Sequence, residues 1–340
     1  MKRFFLILTL LPALFAAVSC GNRSGKPLLP NVTGKAGEVI VVIDRESWEG
    51  AVGNEVRSLL SADCPYLAQR EAMFNVANVP PASFTNLFKV HRNIVLVNID
   101  PQLQEPGVLY KRDEWSHPQA VVQVSAFDRS QAAELIRENG PRIVEFIEQA
   151  ERDRIIANSI LYENSTLREP VRSVSGGILH FPSGYKLKKQ TEDFIWIVDE
   201  KQFSSQNLLV FKYPAVSEGN FEQEMLMGSI EDMLRDNVPG MFENTWMITS
   251  PAMPVTLQSL SFKGRPFMEV RGFWEVQNDF MGGPFVAHAF YSQDGADMIV
   301  TYAFVYAPKF DKRQLLRQVE SVLYSFEWAD EPADEKNKEK

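Results

Sequence analysis

The sequence predicts an α+β protein made of two α/β-type halves, the C-terminal one an antiparallel sheet flanked by helices. Three observations carry that expectation. Short β-branched runs alternate with helix-period segments as far as residue 163. A polar stretch over residues 164–177, with Pro170 and two glycines, then interrupts the pattern. Four strand candidates follow one another between Val255 and Tyr306 with no helix among them, as antiparallel neighbours allow.

The first half, residues 37–163, opens on the apolar run from Glu38 to Asp44, which reads as a buried strand. A helix is expected next, with Trp48, Val52, Val56 and Leu59 on one face. Pro80-Pro81 opens a second short helix through Phe84, Leu87 and Phe88. Asn93 to Asp100 and Gln119 to Phe127 are further strands. A long helical region from Arg129 to Tyr162 is broken or bent at Gly140-Pro141.

Residues 164–177 are expected to link the halves, and 178–328 to form the second. Tyr185 to Lys188, Phe194 to Asp199 and Asn207 to Tyr213 read as strands, and Asn220 to Asn237 as a helix with Phe221, Leu226, Ile230, Met233 and Leu234 inward. Strands follow over Val255–Phe262, Pro266–Val276, Phe285–Ser292 and Asp297–Tyr306, the last two joined by an Asp294-Gly295 hairpin turn. A closing helix carries Leu315, Val319, Val322 and Phe326 on one stripe. Residues 329–340 are charged and poor in apolar side chains, the composition of a disordered tail. Phe127-Asp128-Arg129-Ser130-Gln131 and Phe310-Asp311-Lys312-Arg313-Gln314 echo each other. In both, the aspartate is placed to cap a helix and the glutamine to reach back to the cap.

The N-terminus gives the location. Met1-Lys2-Arg3 supplies positive charge, and Phe4 to Ala17 is apolar apart from Thr9 and Pro12. Ala17-Val18-Ser19-Cys20 then places small or modest residues before a cysteine. This order reads as a lipoprotein signal peptide over residues 1–19, cleaved to leave a diacylated, palmitate-type anchor on Cys20. Residues 20–36 read as a lipidated, flexible tether. Without Lys2 and Arg3 the chain carries 33 basic and 44 acidic side chains, a net charge of −11. Charge therefore attracts neither nucleic acid nor anionic lipid, and the lipid alone supplies membrane attachment. Cys64 has no internal partner once Cys20 is acylated, and is expected to be a buried, inert thiol.

Catalytic signatures are sparse. His91, His117, His180 and His288 show no zinc-ligand spacing, no phosphate-cradling loop is present, and Ser183-Gly184-Tyr185-Lys186 lacks the companion motif of a serine–lysine enzyme. No catalytic residue, metal or cofactor is assigned. His288, between Val286 and Phe290 on one strand face, reads as a core histidine. The segment that stands out runs from Arg271 to Pro284. Met268, Val270, Trp274 and Val276 share one strand face, and Glu269, Arg271, Phe273 and Glu275 share the other. The loop after them puts Phe280 and Met281 at a tip, where they fold back or meet a partner. The candidate binding surface is therefore Arg271, Trp274, Glu275, Asn278, Asp279, Phe280, Met281, Gly282 and Gly283.

Gly37 to Asp44, Arg92 to Val97 and Arg271 to Pro284 resemble a family of Bacteroidota lipoproteins, domain of unknown function 4837, and the likeness extends over nearly all of the mature chain. The resemblance implies a cell-envelope lipoprotein of a Gram-negative host, without a known activity. From Tyr185 to Trp328 the chain also resembles the Mog1/PsbP-type α/β/α sandwich. The shared points are the Gly184-Tyr185 strand, a mid helix, antiparallel strands and a closing helix ending in Ser325-Phe326. That fold implies a binding or assembly accessory. In such hosts an acidic cluster after the lipidated cysteine resembles a surface-export signal. Gly21 to Lys26 has no acidic residue, and Gly21 is unlike the aspartate of inner-membrane retention. The expected protein faces the periplasm from the outer membrane and binds an envelope protein. The alternatives are a hydrolase of envelope glycan or peptide, which needs Glu275, Asp279 and His288 in one pocket, and a structural lipoprotein without a specific ligand.

Overall fold

A computed structural model describes residues 28–329, so the signal peptide, Cys20, most of the tether and nearly all of the tail lie outside the described residues. The fold is α+β. The first half runs β1 (Glu38–Val42), α1 (Arg45–Glu49), α2 (Ala51–Leu60), β2 (Asn75–Val79), α3 (Asn86–Lys89), β3 (Asn93–Ile99), β4 (Gly107–Arg112), β5 (Ala120–Ala126), α4 (Arg129–Glu138) and α5 (Gly140–Leu161). Its strands lie in the order β2-β1-β3-β5-β4, all parallel except the β4–β5 pair. The central strands are Val- and Ile-rich because both of their faces are covered. Val39, Val41, Val95, Val122 and Val124 meet the helices, while Ile40, Val42, Ile94 and Val121 meet Phe84, Phe88 and Trp115.

Local sequence explains the breaks. Gly50 separates α1 from α2, and a Cβ on Gly53 would lie 1.8 Å from the Trp48 carbonyl oxygen, so only glycine lets the two helices turn this closely. Asp128 accepts from the Gln131 N–H while the Gln131 side chain accepts from the Phe127 N–H, the reciprocal cap expected there. Gly140 and Pro141 begin α5, where proline's missing N–H costs nothing. The edge strands β2 and β4 have no sequence-level counterpart, because half-exposed edges lack a sustained alternation.

The second half runs α6 (Arg168–Ser175), β6 (Gly177–Ile178), β7 (Lys186–Gln190), β8 (Phe194–Lys201), β9 (Ser204–Pro214), α7 (Gln223–Asn237), β10 (Met247–Thr249), β11 (Thr256–Phe262), β12 (Arg265–Val276), β13 (Gly282–Tyr291), β14 (Asp297–Tyr306), α8 (Arg313–Tyr324) and β15 (Glu327–Trp328). The main sheet has the order β10-β12-β13-β14-β9-β8-β7, with β11 also on β12 and every pairing antiparallel. Residues 164–177, expected as linker, hold a 3₁₀ turn and α6, whose Val171 and Val174 join α8 on one face of the sheet. α7 covers the other face through Leu226, Ile230 and Leu234. The β13–β14 hairpin forms, but its loop spans Gln293 to Ala296 rather than two residues, with Gly295 at φ 74°.

The halves pack as one body. Leu67 and Ile156 of the first enter the core of the second. Tyr66 donates to Thr256 Oγ1 at 2.6 Å. Asp311 does not cap α8. Instead Glu71, from the first half, accepts the N–H groups of Lys312 and Arg313 at 2.7 and 2.8 Å. Arg317 of α8 donates to Glu148 of α5 at 2.9 Å, and Arg152 of α5 pairs with Glu320 of α8 at 3.2 Å. Removing one member of a buried ion pair strands the other, at a cost of ~3–5 kcal/mol. Glu320→Ala is therefore expected to lower stability by that amount and Glu71→Ala, a lost cap, by ~1–2 kcal/mol. Urea midpoints read both. Unchanged midpoints would show that the seam is held by apolar contact alone.

Candidate interaction surface

Strand alternation divides the predicted surface in two. Trp274 lies in the core against α7's side of the sheet, edge-on to Phe304, and its Nε1 donates to the Val305 carbonyl at 3.2 Å. Gly283 makes room for that crossing, since a Cβ there would lie 2.0 Å from the Val305 oxygen and 3.0 Å from Trp274 Nε1. Arg271 faces the opposite way, into the seam between the halves. It donates to Glu269 at 2.6 Å and to Glu320 at 2.7 Å. Trp274 and Gly283 are buried, which corrects the expectation of a binding surface at those two positions, while Arg271 is committed to two carboxylates. The face that carries Glu269 and Arg271 is covered by α8 through Tyr324 and Glu320, with Arg152 of the first half on Glu320 behind them.

The remaining residues stay together at the β12–β13 turn. Asn278 takes φ 55°, and the Val276 N–H donates to the Met281 carbonyl at 3.0 Å, closing the loop. Asp279 accepts from the Phe280 N–H at 2.6 Å. Gly282 has no room for a Cβ, which would sit 2.8 Å from the Trp274 carbonyl oxygen. Met281 folds back onto the core, whereas Phe280 stands fully in solvent at 108% relative exposure. A second loop lies alongside, tied on by the Gln277 N–H donating to the Trp246 carbonyl at 3.1 Å. It shows Met241 and Phe242, 82% and 61% exposed, which sequence reading missed. A Met-Phe pair in a short polar loop was the signal available for them.

A depression of about 370 Å³ opens beneath Phe280, lined by Phe273, Glu275, Asp279 and Tyr306, with Ala68 from the first half. Glu275 accepts from the Ser250 hydroxyl, and neither Glu275 nor Asp279 has a cationic partner among the described residues. His288 does not line it. That ring is fully buried between Phe267 and Tyr324, at centroid distances of 4.2 and 4.6 Å, so the three groups required for hydrolysis are not gathered. Among the described residues no group of three or more His, Cys, Asp or Glu is placed to hold a metal, and no helix is long and apolar enough to cross a membrane.

The seam holds the strongest electrostatics. His288 Nε2 lies 3.6 Å from Glu269 Oε2, beyond hydrogen-bond reach, and Tyr324 donates to the same oxygen at 3.0 Å. Burial pushes the His288 imidazole below its ordinary 6.5 despite the pull of Glu269. Burial pushes Glu269 up, but His288 and Arg271 outweigh it and hold the carboxyl well below the usual range. Cys64 sits near Glu148, Arg317, Glu320 and Arg271, and burial raises its thiol to about 11. It remains an inert thiol.

Both His288 and Glu269 bind fewer protons folded than unfolded, so stability rises with pH. It is expected to fall as pH drops through 6.5, the ordinary histidine value, and again below 4.5 as unfolded carboxylates protonate. His91, also lowered chiefly by burial, adds in the same sense. His288→Phe should shrink the upper step and leave the lower one. A melting-temperature profile from pH 7.5 to 4 reads both steps, and an unchanged upper step would remove His288 from the account.

Comparison with known proteins matches each half to a family of unknown function. No curated protein matches the sequence. Among solved structures, the human StarD13 (DLC2) lipid transfer and protein localization domain is 8% identical, covering 42% of this chain and 89% of that one, with a TM-score of 0.22. A STAR-related lipid transfer protein from Xanthomonas axonopodis is 14% identical, covering 42% and 96%, with a TM-score of 0.21. Superposition at that level carries no argument. The family expected over nearly all of the mature chain is confined to the second half. Residues 164–325 match Domain of unknown function (DUF4837), and residues 32–159 match a separate family, Domain of unknown function (DUF8532).

Proposed function

We propose that this chain is a lipid-anchored cell-envelope protein, facing the periplasm from the outer membrane, that acts as a binding or assembly module. The observation that carries the binding reading is Phe280, a large apolar side chain left wholly in water at a loop tip. Such exposure forfeits roughly 1.5–3 kcal/mol of burial, which a partner recovers. Met241 and Phe242 extend the patch, and Glu275 and Asp279 at its base lack cationic partners among the described residues. The occupant this chemistry fits is an envelope protein offering an apolar pocket with a basic residue at its rim. The lipoprotein reading rests on the leader ending at Cys20.

Two experiments test these statements. Photo-cross-linking from position 241 in intact cells should trap one envelope protein, whereas position 109, exposed on β4, should not trap it. Phe280→Asp and the pair Glu275→Gln with Asp279→Asn should each cut the yield about tenfold, equivalent to ~1.4 kcal/mol. Cross-links indifferent to these changes, or none, would refute the surface. Labelled palmitate should enter the wild-type chain and not Cys20→Ala, and external protease should leave the protein intact in whole cells. Unlabelled wild-type protein would sink the anchor, and surface cleavage would sink the periplasmic orientation.

A further inference from the structure

A second cavity, of about 440 Å³, lies away from the tip, between the halves. That volume falls within the ~300–1,000 Å³ of small-molecule sites, and junctions between packed units are where such sites occur. Its walls come from both halves: Arg92 and the α5 residues Asn158 and Ser159 on one side, Gln206 of β9 and the α8 residues Gln314 and Gln318 on the other.

Charge in the cleft does not cancel. Arg92 and Arg154 share a single carboxylate, Glu151, at 3.0 and 2.9 Å, and Glu151 is fully buried. Lys201 and Asp199 neutralise each other at 3.0 Å. One positive charge is left over. Arg154 is spent on internal acceptors, donating to the carbonyls of Arg92 and Pro118 and to Asn93 Oδ1. Arg92 is not spent, for apart from the Glu151 pair its guanidinium makes only a 3.4 Å contact to the Gly34 carbonyl. The surplus charge therefore resides on Arg92 at the cleft wall.

Hydrogen-bonding capacity is also left over, as two amide donors and as an amide and hydroxyls that both donate and accept. Gln318 Oε1 is taken by Gln206 Nε2 at 3.0 Å, and Gln314 Oε1 by Arg317 Nη1 at 3.2 Å. Those bonds fix both amides and leave both NH₂ groups free. The side chains of Asn158 and Ser183 make no hydrogen bond among the described residues. Ser159 lines the cleft, and among the described residues its hydroxyl has no side-chain or backbone partner, so it is free to bond to an occupant. Ile155, Pro182 and Val322 add small apolar patches between the polar groups.

We infer that the inter-half cleft binds a small hydroxylated monocarboxylate of the sugar-acid class, its carboxylate on Arg92 and its hydroxyls on Ser159, Gln314 and Gln318. One surplus charge matches one carboxylate. A phosphate would want more charge or a cradle of backbone N–H groups, and the lining is a set of side chains instead. Free amide donors and hydroxyls suit the hydroxyls of a sugar, and the apolar patches suit its C–H faces.

Titration calorimetry of the intact chain with D-glucuronate, D-glucose and acetate tests the inference. Glucuronate should bind saturably, and glucose and acetate about tenfold more weakly or not at all. Ser159→Leu, which fills the cleft, and Gln318→Leu should each weaken glucuronate about tenfold or more while retaining the wild-type circular-dichroism spectrum. Gln318 accepts from Gln206 alone, which also donates to the Leu315 carbonyl, so that variant keeps the test valid if Ser159→Leu does not fold. Three results would overturn the inference: no glucuronate binding at ~10 mM, acetate binding as well as glucuronate, or glucuronate affinity unchanged in folded Gln318→Leu.

Discussion

The fold depends on a buried chain of charges that crosses the seam between its halves: Arg152 to Glu320, Glu320 to Arg271, Arg271 to Glu269, with Tyr324 donating to Glu269 at the end. Each carboxylate lies between cations or donors, and each guanidinium has an acceptor to meet. Such networks contribute little as isolated pairs, because desolvation offsets most of the attraction. Their effect is on alignment. α5 and α8 can be brought together by apolar contact in several registers, but only one lets Arg152 and Arg271 share Glu320. The second pairing, Arg317 with Glu148, fixes the same two helices one turn away. The inter-half cleft inherits its shape from that register, since Asn158 and Ser159 lie on α5 while Gln314 and Gln318 lie on α8.

Much of this was legible in the sequence where local periodicity governs. The parallel strands β1, β3 and β5, the glycine–proline break before α5, the reciprocal cap at Asp128 and the two faces of β12 all follow from spacing and residue type. What periodicity does not encode is which face a distant segment will cover. Glu269 and Arg271 have the polar pattern of a solvated strand face, yet that face lies under α8, and the charges survive because Glu320 and, behind it, Arg152 arrive from other elements. The echo of the capping motif at Asp311 failed for the same reason, since Glu71 reaches the helix end first. Edge strands β2 and β4 were silent because partly solvated strands carry mixed residues.

The proposed partner surface and the inter-half cleft differ in kind. At the tip, apolar side chains protrude and the unsatisfied groups are carboxylates. In the cleft, the side chains are recessed and the unsatisfied groups are amides and hydroxyls beside a surplus guanidinium. Opposite signs and opposite curvature mean that the two places select different ligands, and nothing that suits one suits the other. The Phe280 loop joins the β12 and β13 ends, where Trp274 crosses Gly283 to bond the Val305 carbonyl.

The cap that Glu71 places on α8 has a consequence for the order in which the chain comes together. The two N–H groups it satisfies lie 241 and 242 residues further along. α8 leaves the ribosome long after Glu71, so its first turn is completed by a residue synthesised well before it. Contacts of such separation form late, because the chain between them must already be arranged. The first half thus acts as a template on which the closing helix is finished, and a nascent chain halted before α8 would present the α5 side of the seam, with Glu148 and Arg152 unpaired, to the chaperones and proteases around it.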